Sequence, residues 1–398
     1  MKIIFANQRR PGKKRKVCHH ASVDRGCAGM HPSCLQAWDT MDFASDNTAG
    51  ASQPILASVL ATNEGAAPAY GQDSLTAKAG RLLEDVFERK IASFLVNTGT
   101  AANALALGAI SPPFGAIFCH MQAHVMEDEC GAPEMFTGGA KLIGIAGRAG
   151  KIAPADFKSV LADFPRGLEK QVQPAALSLS QVTESGTIYT CMELAELTAL
   201  AHDAGLMVHM DGARFANALV SLQCTPAEMS WKAGIDVLSF GATKNGALAC
   251  EAVIFFDPLK AAGLPFQRKR SGHTLSKGRF LGAQMAAYLE NGHWLDLAVR
   301  ANDQARRLAR GLTKIPGVRM PWPCEANEVF AILPGAIDAA LKAGGALYYP
   351  WKFRDGSHDC PPPAKDEVFV RLVTSYATLP SDVDGFMTLA MTAGRERI

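Results

Sequence analysis

The spacing of apolar positions switches repeatedly between helical and strand-like from Met41 onward. A helix is predicted after Asp73, because apolar side chains then recur on one helical face. These side chains are Leu75, Ala79, Leu82, Leu83, Val86 and Phe87. The run 91–96 predicts a strand, and the uncharged stretch 101–120, which two prolines interrupt, predicts a helix followed by a buried strand.

Later segments carry residues that start helices. Thr190 and Glu193 form a capping box before a helix that ends at Gly205, and the tract 225–228 repeats this arrangement with proline at the first helical position. Further buried strands are predicted at the apolar runs 206–208, 237–238 and 252–256. Helices and apolar strands that alternate in this way favour an α/β fold with a mostly parallel sheet.

The C-terminal part shows a different arrangement. It begins with a long amphipathic helix and continues with strand-like runs at 328–333 and 367–373. The tract 349–365 between them is rich in Pro and Gly and predicts a loop. These patterns predict a large domain over residues 41–290 and a small α/β domain over residues 291–398.

Charge distinguishes the first forty residues from the rest. Their net charge is +6. Because the net charge of the whole chain is +2, the remaining residues carry a net charge of −4. A basic surface for nucleic acid is therefore confined to this leader, and its Cys18-His19-His20 cluster fits no zinc spacing well. The leader also lacks the apolar segment of a secretory signal. We expect residues 1–40 to be a disordered or non-native extension outside the fold, with a transit peptide and a translation start at Met41 as alternatives.

Composition limits the class of protein. Apolar residues make up 48% of the chain and charged residues 20%, as in ordinary soluble globular proteins. No apolar run is long enough for a membrane span. Ten cysteines at irregular spacings predict free thiols in a reducing compartment and not a disulfide framework. We therefore expect a cytoplasmic protein whose main fold binds neither membrane nor nucleic acid.

Two charged residues that follow predicted strands suggest a specific chemistry. Asp211 lies in the segment 209–214, and Lys244 ends the segment 239–244. Pyridoxal phosphate chemistry requires a lysine amine, which forms a Schiff base with the cofactor aldehyde, and a carboxylate, which pairs with the pyridine nitrogen. Each residue alone has a common alternative, a helix cap for the aspartate and solvated surface for the lysine. The pair predicts a cofactor site.

Further residues are consistent with such a site. Gly99 and Thr100, between a predicted strand and a helix, can bind a phosphate at the helix N-terminus. The His124 imidazole can stack on the cofactor ring, and a strand-end histidine with an ordinary hydrogen bond is an equal alternative. Arg214 is close enough in sequence to the aspartate to reach the same pocket. Arg371 interrupts an apolar strand, so it needs a carboxylate partner, either an amino acid substrate or an internal Asp or Glu.

Together the motifs resemble the L-threonine aldolases, in the β-eliminating lyase group of fold-type I pyridoxal-phosphate enzymes. The resemblance is carried by the segments 43–47, 69–73, 94–103, 123–124 and 209–214, by Lys244 and by the segment 370–374. It implies a large domain with a mostly parallel sheet flanked by helices and a small C-terminal α/β domain. It also implies a homotetramer, a dimer of dimers with active sites at subunit interfaces, and no metal.

The resemblance implies roles for individual residues. Lys244 forms the Schiff base with the cofactor, Asp211 pairs with the pyridine nitrogen, and His124 stacks on the ring. Gly99 and Thr100 hold the phosphate. Substrate or neighbouring cofactor oxygens are bound by Ser45, Arg214, Arg371 and, from the neighbouring subunit, Tyr70. The basic segment 268–273 is a weaker candidate for a contact with a neighbour's phosphate.

One segment departs from the family pattern. Many members have a histidine near the substrate hydroxyl, whereas this chain has Glu184 at that position, within the segment 181–186. Glu184 is therefore a candidate for the general base or for a group that orients His124. The departure leaves the preference between threo and allo substrates open.

The predicted reaction is the retro-aldol cleavage of L-threonine or L-allo-threonine to glycine and acetaldehyde, with related substrates such as phenylserine. Alternatives on the same scaffold are another pyridoxal-phosphate-dependent lyase or an aminotransferase for a small amino acid. Alternatives from other classes are a nucleic-acid-binding protein that uses residues 1–40 and an inactive paralogue with a structural role.

Overall fold

The computed structural model describes residues 41–354 and 360–395. The expectations for residues 1–40 therefore lie outside the described part of the chain. The strands are β1 (Met41–Asp42), β2 (Ala92–Val96), β3 (Gly115–His120), β4 (Lys141–Ile145), β5 (Gln173–Ser180), β6 (Met207–Gly212), β7 (Val237–Gly241), β8 (Glu251–Phe255), β9 (Glu328–Pro334), β10 (Ala346–Leu347), β11 (Tyr349–Pro350) and β12 (Glu367–Val373). The helices are α1 (Gln53–Thr62), α2 (Ser74–Val86), α3 (Gly99–Ile110), α4 (His124–Glu127), α5 (Ala132–Thr137), α6 (Pro154–Ala162), α7 (Cys191–Asp203), α8 (Phe215–Leu222), α9 (Leu264–Arg270), α10 (Arg279–Leu289), α11 (His293–Leu312), α12 (Gly335–Ala343) and α13 (Pro380–Arg395).

Seven strands form one sheet in the order β2-β8-β7-β6-β5-β3-β4. The neighbours from β4 to β7 run parallel, whereas β8 pairs antiparallel with both β7 and β2. The prediction of an α/β fold with a mostly parallel sheet is confirmed. The carboxyl ends of parallel strands meet at one edge of the sheet. Ser180, the last residue of β5, therefore lies beside Asp211 of β6, and the two are register partners.

The central strands are buried, which explains why they read as continuous apolar runs in the sequence. Every residue of β7 and β8 is buried, and α3 packs on both strands. The largest apolar core includes Leu177, Met210, Leu238 and Ile254 from four strands of the sheet. This core fixes the positions at which the strand ends present polar side chains.

Capping residues fix the starts of the surrounding helices. Thr190 and Glu193 make both bonds of a capping box at α7, and Gly205 adopts a positive φ just after that helix, as predicted. Thr98 caps α3, because its Oγ1 accepts a bond of 3.1 Å from the Ala101 N–H. Among the described residues, none of the helices is long and apolar enough to cross a membrane.

The prediction that the tract 225–228 begins a helix is wrong. Thr225 and Glu228 do make the expected reciprocal bonds, of 2.7 and 3.2 Å. The chain nevertheless continues as a turn into a short 3-10 helix at Trp231–Ala233. Ser230 leaves the helical region, with φ −122° and ψ −105°, and its hydroxyl donates to the Pro226 carbonyl, a bond that weakens helices slightly.

The C-terminal residues form a second sheet in the order β11-β12-β9, with antiparallel neighbours. It packs on α13 and on the second half of α11 in a separate core that includes Leu308, Val370 and Phe386. The first part of α11 packs on the main core through Trp294 and Ala298. Because α11 joins the two cores, the domain boundary near its start stays a prediction.

The tract 349–365 is only partly a loop. Its first two residues form β11, which pairs with Val370 and Arg371 of β12, so the loop prediction is wrong there. Composition identifies Pro and Gly but not the pairing partner, and proline is tolerated on an edge strand such as this one. Residues 355–359 of the tract lie outside the described part of the chain.

Candidate active site

A cavity of about 720 Å³ opens at the carboxyl ends of β5, β6 and β7. One part of its lining is the strand-end wall, which we define as Asp211, Thr243, Lys244 and Glu251. Another part is the C-terminal wall, which we define as Glu328, Trp351, Lys352 and Arg371. The lining brings together nearly all the site residues expected from the sequence, namely Ser45, Gly99, Thr100, His124, Glu184, Asp211, Arg214, Lys244 and Arg371.

Asp211 is a buried carboxylate near the end of β6, with 6% of its surface exposed. Its Oδ1 accepts a bond of 3.0 Å from the Ala213 N–H, and its Oδ2 accepts one of 2.8 Å from the Asn103 side chain. Burial disfavours the charged form, but the charges of His124, Lys244 and His209, together with the bond from the Ala213 N–H, keep the pKa of Asp211 below its ordinary value. Asp211 therefore stays ionised although it is buried.

Lys244 follows β7 in a short 3-10 turn, Thr243–Asn245. The start of this turn is held by Glu251, whose Oε2 accepts a bond of 2.9 Å from the Ala242 N–H. Burial raises the pKa of Glu251 to about 7. A titratable carboxyl thus lies against the backbone segment that carries the lysine.

A chain of hydrogen bonds joins His124 to Asp211. His124 Nδ1 lies 2.7 Å from Glu129 Oε1, and Asn103 Nδ2 donates to that same oxygen and to Asp211 Oδ2, each at 2.8 Å. The bond to Glu129 outweighs burial and raises the pKa of the His124 imidazole above its ordinary value. Ligand atoms of His124, Glu129 and Asp211 lie within 4.8 Å of one another, as metal ligands do, but the Asn103 amide already donates to both carboxylates.

Glu184 lies in the loop after β5 and contacts the helix that carries His124. Its Oε1 accepts bonds of 2.7 Å from the His124 N–H and from the Ser180 hydroxyl. Its Oε2 is buried without a hydrogen-bond partner among the described residues. Burial of the carboxyl, together with the charge of Asp211, raises the pKa of Glu184 to about 7. Glu184 can therefore take up or release a proton near neutral pH.

The N-terminus of α3 lies at the cavity, where the sequence predicts an anion site, and that role stays a prediction. Gly99 and Thr100 are its first two residues and line the cavity. The first N–H groups of a helix have no intrahelical acceptor, and the helix dipole favours a negative charge there. A Cβ added to Gly99 would meet no atom within 4 Å, so the space beside its backbone is open.

Arg214 and Arg371 lie among buried carboxylates. Arg214 donates two hydrogen bonds to Asp46, of 2.7 and 3.0 Å. Glu328 lies 3.3 Å from Arg214 and 3.7 Å from Arg371, and its oxygens accept no hydrogen bond from the described residues. The internal ion pair that was one of two expectations for Arg371 is therefore present, but as a long contact. Burial lowers the pKa of Arg371.

Trp351 orients the Arg371 guanidinium. The guanidinium carbon lies 4.1 Å from the centre of the Trp351 ring, within the range of a cation–π interaction. The backbone of Trp351 is itself anchored, because its N–H donates to the Phe369 carbonyl at 2.7 Å. Nearby, Arg354 forms an ion pair with Glu127 of α4. This pair joins the C-terminal part of the lining to the helix that begins with His124.

Two predicted contacts lie outside the cavity of a single chain. Tyr70 is 53% exposed, and its ring lies 4.6 Å from the Lys269 ammonium. In the basic segment 268–273, Arg268 donates to the Leu95 carbonyl at 3.3 Å. Because both roles were expected across a subunit interface, both stay predictions.

Several residues that shape the site were not identified from the sequence. They are Asp46, Asn103, Glu129, Glu251 and Glu328. Two of them, Asp46 and Asn103, lie inside segments that carry the family resemblance. Glu251 and Glu328 each begin an apolar strand, where burying a charge is costly. The same signal drew attention to Arg371, so it was available for these two residues as well.

Comparison with known proteins gives the family. Residues 42–334 match the model of the β-eliminating lyases. The chain is 41% identical over 314 residues to the low specificity L-threonine aldolase of Pseudomonas aeruginosa. The aligned region covers 78% of this chain and 89% of that protein. A Leishmania major threonine aldolase structure matches with a TM-score of 0.82 and 29% identity, over 89% of this chain and 99% of that chain.

A more distant structure shows how widely the architecture is shared. A Sphingomonas wittichii serine palmitoyltransferase matches with a TM-score of 0.65 over 90% of this chain and 88% of that chain, and at 14% identity this likeness concerns the fold alone. The family resemblance and the fold-type I class predicted from the sequence are thus confirmed. The chain belongs to the β-eliminating lyase family.

Proposed function

We propose that the protein is a pyridoxal-phosphate-dependent lyase that cleaves L-threonine or L-allo-threonine to glycine and acetaldehyde. The observation that carries the proposal is the presence of Lys244 and the ionised Asp211 in one cavity, beside the N-terminus of α3. Relatives named threonine aldolases support it. Another pyridoxal-phosphate-dependent lyase or an aminotransferase is the alternative on the same scaffold.

The residues of the cavity fit this cofactor. Lys244 offers an amine for the cofactor aldehyde, and Asp211 offers a charged partner for the pyridine nitrogen. The N–H groups of Gly99 and Thr100 offer an anion site for the phosphate, and His124 offers a ring that can stack. When bound, the cofactor acts as an electron sink for the electrons of the broken carbon–carbon bond.

We assign the substrate carboxylate to Arg371, with Ser45 and Arg214 as further contacts. The Arg371 guanidinium lies over the Trp351 ring, and the Arg371 Nε has no hydrogen-bond partner among the described residues. Arg214 is less able to bind in a bidentate way, because Asp46 occupies two of its N–H groups. Arg214 therefore contributes mainly positive charge.

We assign the removal of the proton from the substrate β-hydroxyl to Glu184. Its Oε2 lacks a partner among the described residues, and its pKa of about 7 leaves a large fraction ionised at neutral pH. His124 is the weaker candidate, because its bond to Glu129 favours the protonated imidazole. The bond from the His124 N–H to Glu184 keeps the two groups together.

The test uses the purified protein loaded with the cofactor. L-Threonine and L-allo-threonine are added separately, acetaldehyde is followed with an NADH-dependent reductase, and glycine is quantified. We expect equimolar glycine and acetaldehyde. A visible band of bound cofactor without aldehyde would refute the retro-aldol reaction and favour the alternative. No such band after reconstitution would refute the proposal as a whole.

The same proposal extends to the substrate range, the oligomeric state and the cellular location of the protein. Phenylserine is proposed as a further substrate, because a cavity of about 720 Å³ leaves room for a larger β-substituent. A homo-oligomer with Tyr70 at the neighbouring site and a cytoplasmic location are proposed as well. Phenylserine turnover, sedimentation and cell fractionation test these three points in turn.

A further inference from the structure

Two cysteines that lie outside the cavity are in contact with each other. The sulfur atoms of Cys191 and Cys224 lie 3.7 Å apart, although the residues are 33 positions apart in the sequence. Both are half-buried thiols at the edge of the main core. By contrast, Cys119 and Cys250 are fully buried. The contact therefore joins two cysteine residues that are partly exposed to solvent.

The two thiols differ in their surroundings. Cys191 is the first residue of α7, a helix of 13 residues, so its side chain lies at the helix N-terminus. Cys224 follows α8, whose end is marked by Gln223 in the left-handed conformation. Burial, together with the neighbouring Cys191 sulfur, raises the pKa of the Cys224 thiol to about 12. We assign the first attack to Cys191, because thiols at helix N-termini are the more reactive ones, and the second attack to Cys224.

We propose that Cys191 and Cys224 form a modification site that reacts with low-molecular-weight disulfides and closes to an internal disulfide. The Cys191 thiolate attacks one sulfur of the small disulfide and releases one thiolate, which leaves a mixed disulfide on Cys191. Cys224 then loses its proton to solvent, attacks the Cys191 sulfur and releases the second thiolate. Two protein thiols and one small disulfide thereby give one protein disulfide and two small thiols.

The position of this site links it to the segments that hold catalytic groups. Cys191 directly follows the loop that contains Glu184, and α8 directly follows Arg214. The loop that contains Glu184 also touches the turn after Cys224, since the Gln181 side-chain amide donates to the Met229 sulfur at 3.5 Å. The disulfide would join the two segments covalently, and this inference does not depend on the proposed reaction.

The experiment treats the full chain with glutathione disulfide and maps its peptides by mass spectrometry after alkylation of the remaining thiols. We expect a cross-linked peptide that contains Cys191 and Cys224, reversal by dithiothreitol, and a rise in Tm of roughly 5 °C. Exposed Cys130 serves as the internal control for reaction with the reagent. If Cys130 forms a mixed disulfide while Cys191 and Cys224 are both still alkylated as free thiols, the proposal is overturned.

Matched variants test the order of the two steps. Cys224→Ser should accumulate the mixed disulfide on Cys191, and Cys191→Ser should leave Cys224 unmodified. Cys130→Ser should still form the cross-link. Stable mixed disulfides on both Cys191 and Cys224 of the unaltered chain, with no cross-linked peptide, would also contradict the inference.

Discussion

The two walls of the cavity differ in how their charged groups are held. On the strand-end wall, Asp211 and Glu251 accept hydrogen bonds of 2.8–3.0 Å from an amide side chain and from backbone N–H groups. On the C-terminal wall, Glu328 lies 3.3 and 3.7 Å from two arginines, and its oxygens accept no hydrogen bond from the described residues. Short hydrogen bonds hold the charged groups of the first wall, whereas ion pairing and ring stacking hold those of the second.

The two walls suit ligands that stay bound for different lengths of time. A cofactor stays bound through many turnovers, and preorganised polar groups hold it without rearrangement. A substrate enters and leaves at each turnover. An arginine with a long ion pair can exchange that contact for a substrate carboxylate without breaking a short hydrogen bond. We therefore expect changes on the strand-end wall to affect cofactor and kcat, and changes on the C-terminal wall to affect KM.

Replacing Lys244 has the largest expected effect. Lys244→Ala removes the amine for the cofactor aldehyde, so we expect loss of the visible band and a fall in activity of about 10⁴-fold or more. The matched control is Lys352→Ala, which removes the lysine of the C-terminal wall and should keep the band. Loss of the band in the control alone would reverse the assignment of the two walls.

Asp211→Asn tests the electron-sink role of the strand-end wall. The amide keeps the shape of the side chain but loses the charge, so we expect kcat to fall about 10³-fold while cofactor remains bound. Steady-state kinetics and the absorption spectrum measure the two properties on one preparation. A nearly normal kcat would show that the buried charge is not needed.

Glu184→Gln tests the proton acceptor between the walls. With a pKa of about 7, Glu184 is protonated at lower pH and cannot act as a base there. We expect kcat/KM of the unaltered protein to rise with pH up to about pH 7 and then level off. In the variant that rise should disappear, and kcat should fall about 10²-fold. An unchanged profile would exclude Glu184 as the base.

Arg371→Lys should have the smallest effect of the four and should act on substrate binding. A lysine keeps the charge but cannot form a bidentate pair or stack in the same way on Trp351. We expect KM for L-threonine to rise about 10-fold with little change in kcat. An equal fall in kcat would place Arg371 in the chemical step and so remove the distinction between the walls.

Asp211 and Lys244 of the strand-end wall were predictable from the sequence because their signals are local, whereas Glu251 of the same wall was not identified. Asp211 lies near the end of the apolar strand β6, Lys244 follows β7, and Gly99 and Thr100 begin the helix that comes after β2. Parallel strands end at the same edge, so residues after successive strands meet there. Local pattern and topology therefore place these side chains together without knowledge of any other contact.

The rest of the site depends on pairings that local patterns do not contain. Asn103 reaches Glu129 across 26 positions and Asp211 across 108. Glu328 meets the arginines only after β9 pairs with β12. Pairings over such distances are set by tertiary packing.

The central claim is that Lys244 holds the cofactor on the strand-end wall. The most direct measurement is to load the protein with pyridoxal phosphate, reduce it with borohydride and identify the labelled lysine by peptide mass spectrometry. The account predicts a single pyridoxyl label on Lys244. A label on Lys352 of the C-terminal wall, or on neither lysine that lines the cavity, would contradict it.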